Sequence, residues 1–259
     1  MNNIFSFTRF SRLFNKHSRE QFSTYLMSVA VLTGILSIVL GLFAYSNNGM
    51  VPVKIQVVYF FIFLIFSGTI FTSMIFSELG SKKKAIPALT LPISHFERFL
   101  VAWIYSFVIF QLLFILCFYA VDSVIIQIPN HYSLMHNELM KLSIKDPVVF
   151  FCYLAFIVLH SVAFLGAIYF EKLHFVKTTF VLFVFLALIS MVNYGMIHSM
   201  FDATVHATAP FKNLYVVENT IFHPIHPNES ADMIFNLMVC ALTVLLWTTA
   251  YFKLKEKQV

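Results

Sequence analysis

The chain is poor in charge. Only 11% of its 259 residues are Asp, Glu, Lys or Arg, against about 25% in soluble domains. That scarcity excludes an ordinary water-soluble domain. Glycine is scarce as well, with seven in the whole chain, and none opens a GxxxxGK[ST] or GxGxxG pattern. No cradle of backbone N–H groups for a nucleotide is therefore expected. HExxH and GxSxG are absent too, so no zinc-hydrolase or nucleophile-elbow chemistry is indicated. The three cysteines, Cys117, Cys152 and Cys240, lie in apolar runs without any CxxC. They exclude a disulfide framework and read as buried, inert thiols. No residue is assigned a catalytic, cofactor-binding or metal-binding role.

What is present is hydrophobic sequence. Apolar residues make up 59% of the chain and 32 residues are Phe; the mean hydropathy is +0.83. The bilayer is then the main solvent, and the expected class is an all-α integral membrane protein. In such a protein the net charge of +5 is no signal for nucleic acid; the placement of the bases matters more than their sum.

A helix needs about 20 apolar residues to cross the hydrocarbon. Six stretches qualify: 24–45, 55–76, 99–121, 148–170, 175–197 and 233–252. The first starts too late and runs too long for a cleavable signal, so it is expected to stay as a span. None of the eight prolines lies inside a span; Pro147 stands at a helix start, where its missing N–H does no harm. With both termini cytoplasmic, 13 of the 17 Lys and Arg fall inside. That bias fixes the expected orientation and agrees with an even number of spans.

Residues 1–22 carry Phe7, Phe10 and Phe14 on one side of a helical wheel. Arg9, Arg12, Lys16 and Arg19 lie opposite. They predict an amphipathic helix in the cytoplasmic interface, its bases available to lipid phosphates. The alternative is a basic tail that only satisfies the orientation rule.

Small residues recur on the first two spans. Gly34, Ser37 and Gly41 follow one face of the first, and Gly68 and Thr72 one face of the second. They predict close packing of these spans, against each other or across a dimer. Lining of a substrate path is the competing use. Three polar residues stand inside spans: Gln111, His160 and Asn193. Each is a candidate for lining a pathway or for an interhelical hydrogen bond. The histidines of "HPIHP", His223 and His226, with His206 upstream, show no ligand convergence that would define a metal site.

The first cytoplasmic loop, residues 77–98, is elaborate: "SELGSKKKAIPALTLPISHFER". Glu78 stands at the exit of the second span. Lys82, Lys83 and Lys84 suit anionic headgroups or an acidic protein surface. Pro87 and Pro92 bracket a short apolar piece. Ser94 with Glu97 three residues later forms a capping-box pattern, and Arg98 follows near the interface. Lysines alone need no explanation beyond orientation. The paired prolines and the cap predict a folded projection that receives a partner.

The run "FSGTIFTSMIFSELGSKKKAIPALTLPISHFERFLVAWIYS" resembles the corresponding region of ABC-2-type transporter permeases, the membrane subunits of bacterial ABC exporters. A pattern LPxSxxEkfl before the third span is matched by Leu91, Pro92, Ser94, Glu97, Phe99 and Leu100, with Arg98 in place of the usual lysine. The close likeness covers about 40 residues; the span layout extends it to the whole chain.

The resemblance implies residence in a bacterial cytoplasmic (inner) membrane and a division of labour. A separate cytoplasmic ABC ATPase, acting as a dimer, holds ATP and Mg, so this chain binds no cofactor itself. A second permease chain, the same or homologous, completes the membrane half. Residues 77–98 become a coupling helix seated on the ATPase. Pro210–His223, in the long outside loop 198–232, becomes a re-entrant hairpin before the sixth span. The cargo reads as amphipathic or lipid-like, because the spans carry few charges. Two other readings stay open. One is a membrane-embedded lipid-modifying enzyme using His160 or the outside histidines. The other is a non-transporting assembly or sensing subunit that uses the same docking loop.

Overall fold

The structure, a computed structural model, describes residues 5–76, 94–129, 137–170, 173–200, 205–209, 212–218, 221–225 and 229–256. Six helices among them are long and apolar enough to cross a membrane. They are α1 (Phe7–Ser46), α2 (Val53–Met74), α3 (His95–Ile125), α4 (Pro147–Tyr169), α5 (His174–Met200) and α6 (Glu229–Glu256). A multi-pass membrane protein follows from their number and composition.

The start signals are local. Asp146 caps α4, its carboxylate accepting the Val148 N–H at 2.9 Å, and Pro147 occupies the first turn. Ser94 caps α3 in a complete capping box. The end of α1 is closed by Gly49 at φ 84° and Asn48 at φ 53°. In that left-handed turn the Gly49 N–H reaches the Ala44 carbonyl at 2.8 Å.

Three expectations need correction. First, residues 7–46 form one helix of 40 residues, about 60 Å at 1.5 Å per residue. The separation near residues 22–24 between an interfacial helix and a span is absent. The reason is composition: from Phe7 to Thr33 there is neither proline nor glycine to break the hydrogen-bond ladder. Second, the fold is not wholly α. Residues of the long loop form a three-stranded antiparallel sheet: β1 (Val205–Ala209), β2 (Lys212–Glu218) and β3 (Ile221–Ile225). Leu214 pairs with Ile225 and Val217 with Phe222. The stretch expected as a re-entrant hairpin, Pro210–His223, thus contributes strands whose backbone groups pair with one another. Third, only Cys117 is buried. Cys152 is half-buried and Cys240 is exposed.

The small residues of α1 and α2 serve different neighbours. α1 runs alongside α3 in the same direction: Arg9 meets Glu97 at one end, and Gly41 faces Ile125 at the other. A Cβ at Gly41 would stand 3.8 Å from the Ile125 side chain. α2 packs on α4, where a Cβ at Gly68 would come within 2.6 Å of the Phe156 ring. Gly34 and Ser37 are exposed, and nothing lies within 4 Å of a Cβ built on Gly34. Close approach is therefore real at Gly68, ordinary at Gly41 and absent at Gly34.

The core is aromatic. Phe60, Phe114, Phe118 and Phe156 are fully buried between α2, α3 and α4. Phe60 meets Phe114 and Phe118 edge-on with ring centres 5.2 and 5.1 Å apart. A second cluster, with Phe76, Phe164, Ala167, Ala250 and Leu254, ties α4 to α6 at the Glu97 end. α5 is nearly bare: only 6% of its apolar window is buried, which leaves its faces to lipid or to another chain.

Candidate functional site

Glu97 is the most heavily partnered carboxylate among the described residues. Its side chain is fully buried, although it sits in the first turn of α3. Oε2 accepts the Ser94 N–H at 3.0 Å, and the Glu97 N–H returns a bond to Ser94 Oγ at 3.1 Å. Oε1 accepts the Ser6 N–H at 2.8 Å and the Arg9 guanidinium at 3.1 Å. The capping box predicted from sequence is present, and it does a second task. The same carboxylate holds the first turn of α1.

Aromatic contacts extend this joint. Phe14 packs on Tyr105 with ring centres 4.9 Å apart, and His17 meets Tyr105 edge-on at 4.5 Å. The Tyr105 hydroxyl bonds Ser18. Phe5 lies against Phe96, and Phe96 against Tyr251 of α6. The N-terminal segment of α1 is therefore not a free interfacial helix. Its Phe10 and Phe14 flank is half-buried and its Arg9 is engaged, while Arg12, Lys16 and Arg19 stay exposed. Three elements that are distant in sequence, the starts of α1 and α3 and the end of α6, meet around Phe96 and Glu97.

The other residues expected to couple with a partner divide by position. Glu78, Lys82, Lys83, Lys84, Pro87 and Pro92 lie outside the described residues. Ser94 and Glu97 form the joint, and Arg98 is half-buried beside it.

The intramembrane polar residues do not assemble into one path. His160 is fully buried, and its Nε2 bonds Ser106 Oγ at 3.0 Å. The rings of Phe107, Phe156, Phe164 and Trp247 surround it. Gln111 and Asn193 are half-buried, and no hydrogen bond joins either of them to His160 among the described residues. Ser106 lies in a π-helical turn, Ile104–Ile109, within α3. Such turns concentrate at functional sites.

Sequence reading missed the far end of the bundle. Gln56 is fully buried near the start of α2. Its Nε2 donates to the carbonyls of Val51 and Glu138 at 3.0 and 2.9 Å, and its Oε1 accepts the Met140 N–H at 2.9 Å. Asn137 closes the same seam: its Oδ1 accepts the Val51 N–H at 2.9 Å, and its Nδ2 donates to the Gly49 carbonyl at 2.7 Å. Tyr119 donates to the Met140 carbonyl at 3.1 Å. A connecting segment is thus stitched across the ends of α1, α2 and α3. Asp122 was missed as well. It lies inside α3, fully buried, with neither oxygen bonded among the described residues. The signal was available, since α3 continues four residues beyond the expected span end at 121.

His206 lies in β1 and His223 in β3, with β2 between them, and His226 is outside the described residues. No group of three or more His, Cys, Asp or Glu suited to a metal occurs among the described residues. No protein-family model, curated protein or solved structure matches the chain.

Proposed function

We propose that this chain is the membrane permease subunit of an ATP-driven exporter of the ABC-2 type. A separate ATPase dimer docks on residues 77–98, closes on ATP, and its movement reaches the spans through the Glu97 joint. The observation that carries the reading is that joint. A docking loop transmits force only if its end is fixed to something stiff. Here Ser94, the cap of α3, is bonded by Glu97, whose carboxylate also grips Ser6 and Arg9 at the start of a 40-residue helix. A push on the loop therefore moves α1 and α3 together.

The six apolar helices and the LPxSxxE resemblance support the same reading. So does the absence of any phosphate-loop motif in the sequence, because the division of labour puts that motif in another chain. The nearly bare α5 leaves surface for a second permease chain or lipid. The cargo proposed is amphipathic or lipid-like, since the spans carry few charges.

The test is purification of the full chain from its native membrane in mild detergent, followed by an ATP-hydrolysis assay of the isolated complex. The expected result is a co-purifying ABC ATPase that hydrolyses ATP. It should be lost in a Lys82→Ala, Lys83→Ala, Lys84→Ala variant and kept in Gly34→Ala. A wild-type complex with no ATP-hydrolysing subunit overturns the proposal.

A further inference from the structure

His160 is sealed in the bundle with one of its two ring nitrogens bonded. Nε2 meets Ser106 Oγ at 3.0 Å. The Ser106 hydroxyl also reaches the Trp103 carbonyl at 3.4 Å, and it donates there. A hydroxyl has one proton to give, so Ser106 accepts from Nε2. A ring enclosed by aromatic side chains, with no carboxylate bonded to it among the described residues, stays neutral. Its proton is therefore on Nε2, and Nδ1 is a bare acceptor. That nitrogen is buried and has no partner among the described residues.

Two further buried atoms in the same layer lack partners there. One is the indole N–H of Trp247, whose ring centre stands 6.0 Å from that of His160. The other is Ser73 Oγ. Gly68 of α2 lies against Phe156 of α4, and Phe76 against Phe164. The same register sets Ser73 level with Ser161, the neighbour of His160. Thus α2, α3, α4 and α6 each bring a polar group to one depth of the bundle, and three of the atoms stay unbonded. Buried polar atoms are rarely left so, and each calls for a physical account.

The set selects a chemistry. Nδ1 needs a donor and the indole N–H needs an acceptor. The rings of Trp103 and Phe107 beside the indole accept weakly from an N–H, but they give Nδ1 nothing. A hydroxyl supplies both needs through one oxygen. An oxygen about 2.9 Å from each of two nitrogens joins atoms up to about 5.8 Å apart, the scale of the spacing between these rings. Trp247 also gives the layer a way in. Its nitrogen is sealed, yet its ring is half-buried, and Val244, Leu245 and Thr248 around it on α6 are exposed.

We propose that His160 and Trp247 hold one hydroxyl group between them, which donates to Nδ1 and accepts the indole N–H. Water is its smallest bearer, and a membrane-soluble alcohol is the larger one. Ser106 is a positioning residue, because it fixes the tautomer that makes the fit. Ser73 adds a third polar atom to the layer, the number of bonds a buried water normally makes. The site needs no second conformation, and it stands whether or not the chain is a transporter.

The test is proton-detected solid-state NMR of the full chain in lipid nanodiscs, with isotope-labelled nitrogen in the His and Trp rings. The chain has two tryptophans, so Trp103→Phe identifies the Trp247 signal. His160 should show a bare Nδ1 and a protonated Nε2. The Trp247 N–H should give a cross-peak to the water line, and His160→Phe should abolish it. Cyclohexanol is then added, with cyclohexane as the same shape without a hydroxyl. Transfer of the cross-peak to cyclohexanol protons assigns the site to alcohols, and a retained water line assigns it to water; cyclohexane should change nothing. Three results overturn the proposal. They are a protonated Nδ1, a Trp247 N–H in contact with aromatic protons alone, and displacement of the water line by cyclohexane. The wild-type spectrum decides the matter if His160→Phe does not fold.

Discussion

The guanidinium of Arg9 stands 3.1 Å from the carboxylate of Glu97, across 88 positions of sequence. One partner is about one-third exposed and the other is sealed. The pair is therefore unequal. Glu97 has given up water entirely and depends on four donors: two backbone N–H groups from Ser94 and Ser6, and two nitrogens of Arg9. Removing a donor and removing the carboxylate should have different consequences.

Glu97→Ala deletes the acceptor for the Ser94 and Ser6 N–H groups and leaves Arg9 without its counter-ion. The expected loss is about 3–5 kcal/mol, typical of breaking a buried pair from one side. Arg9→Gln keeps a donor within reach and leaves the capping box intact, so it should cost less, about 1–3 kcal/mol. Thermal unfolding in detergent measures the order. Equal losses for the two variants would mean that the ion pair, and not the cap, carries the joint.

Asp122 presents the opposite situation. Its carboxylate is sealed inside α3 with neither oxygen bonded among the described residues. Burying an unpaired polar group costs free energy that native contacts elsewhere must offset. Asp122→Asn removes the charge at constant shape and should raise the melting temperature by several degrees. A fall of the same size would show that the carboxylate has a bound partner, which a titration with protons or small cations would then identify.

Gln56 is the hinge pin of the far end. Gln56→Leu fills the same space but orphans the Met140 N–H and the carbonyls of Val51 and Glu138. One unsatisfied buried group costs about 1–3 kcal/mol. The segment 137–143 should then come loose, with limited proteolysis cutting there about tenfold faster than in the wild type. Unchanged cleavage would mean that Asn137 and Tyr119 hold the seam without it.

Much of this architecture was legible in the sequence, for reasons that are local. Six apolar runs announce themselves because the bilayer demands length and apolarity from each span. Ser94 and Glu97 announce a cap because the motif spans only four residues. Arg9 could not be matched to Glu97, since no local pattern records a contact between segments so far apart. The continuity of α1 was obscured by its change from charged to apolar, although its want of proline and glycine was the better guide. "LYVVENTIF" looked like a membrane-dipping hairpin because apolar content alone does not separate strand from re-entrant segment. Asp122 was set outside a span by hydropathy, which ends a helix where charge begins and not where the backbone does.

The glycines offer the sharpest contrast between sequence pattern and packing. Gly34 and Gly68 both entered as close-approach residues, and only one has a neighbour. A Cβ at Gly68 would stand 2.6 Å from Phe156 and 3.1 Å from Phe110, and Phe156 is fully buried, so its ring has no room to yield. Gly68→Ala should therefore destabilise by about 1–3 kcal/mol, as overpacking does. Gly34 lies in the middle of α1 with nothing within 4 Å. There alanine meets no obstacle and favours the helix by up to about 1 kcal/mol. Unfolding of the two alanine variants should thus move in opposite directions. If Gly34→Ala instead destabilises, and does so only at protein concentrations where the chain self-associates, then the open face of α1 is covered by a second copy. Size-exclusion chromatography with light scattering on that variant would register the lost dimer directly.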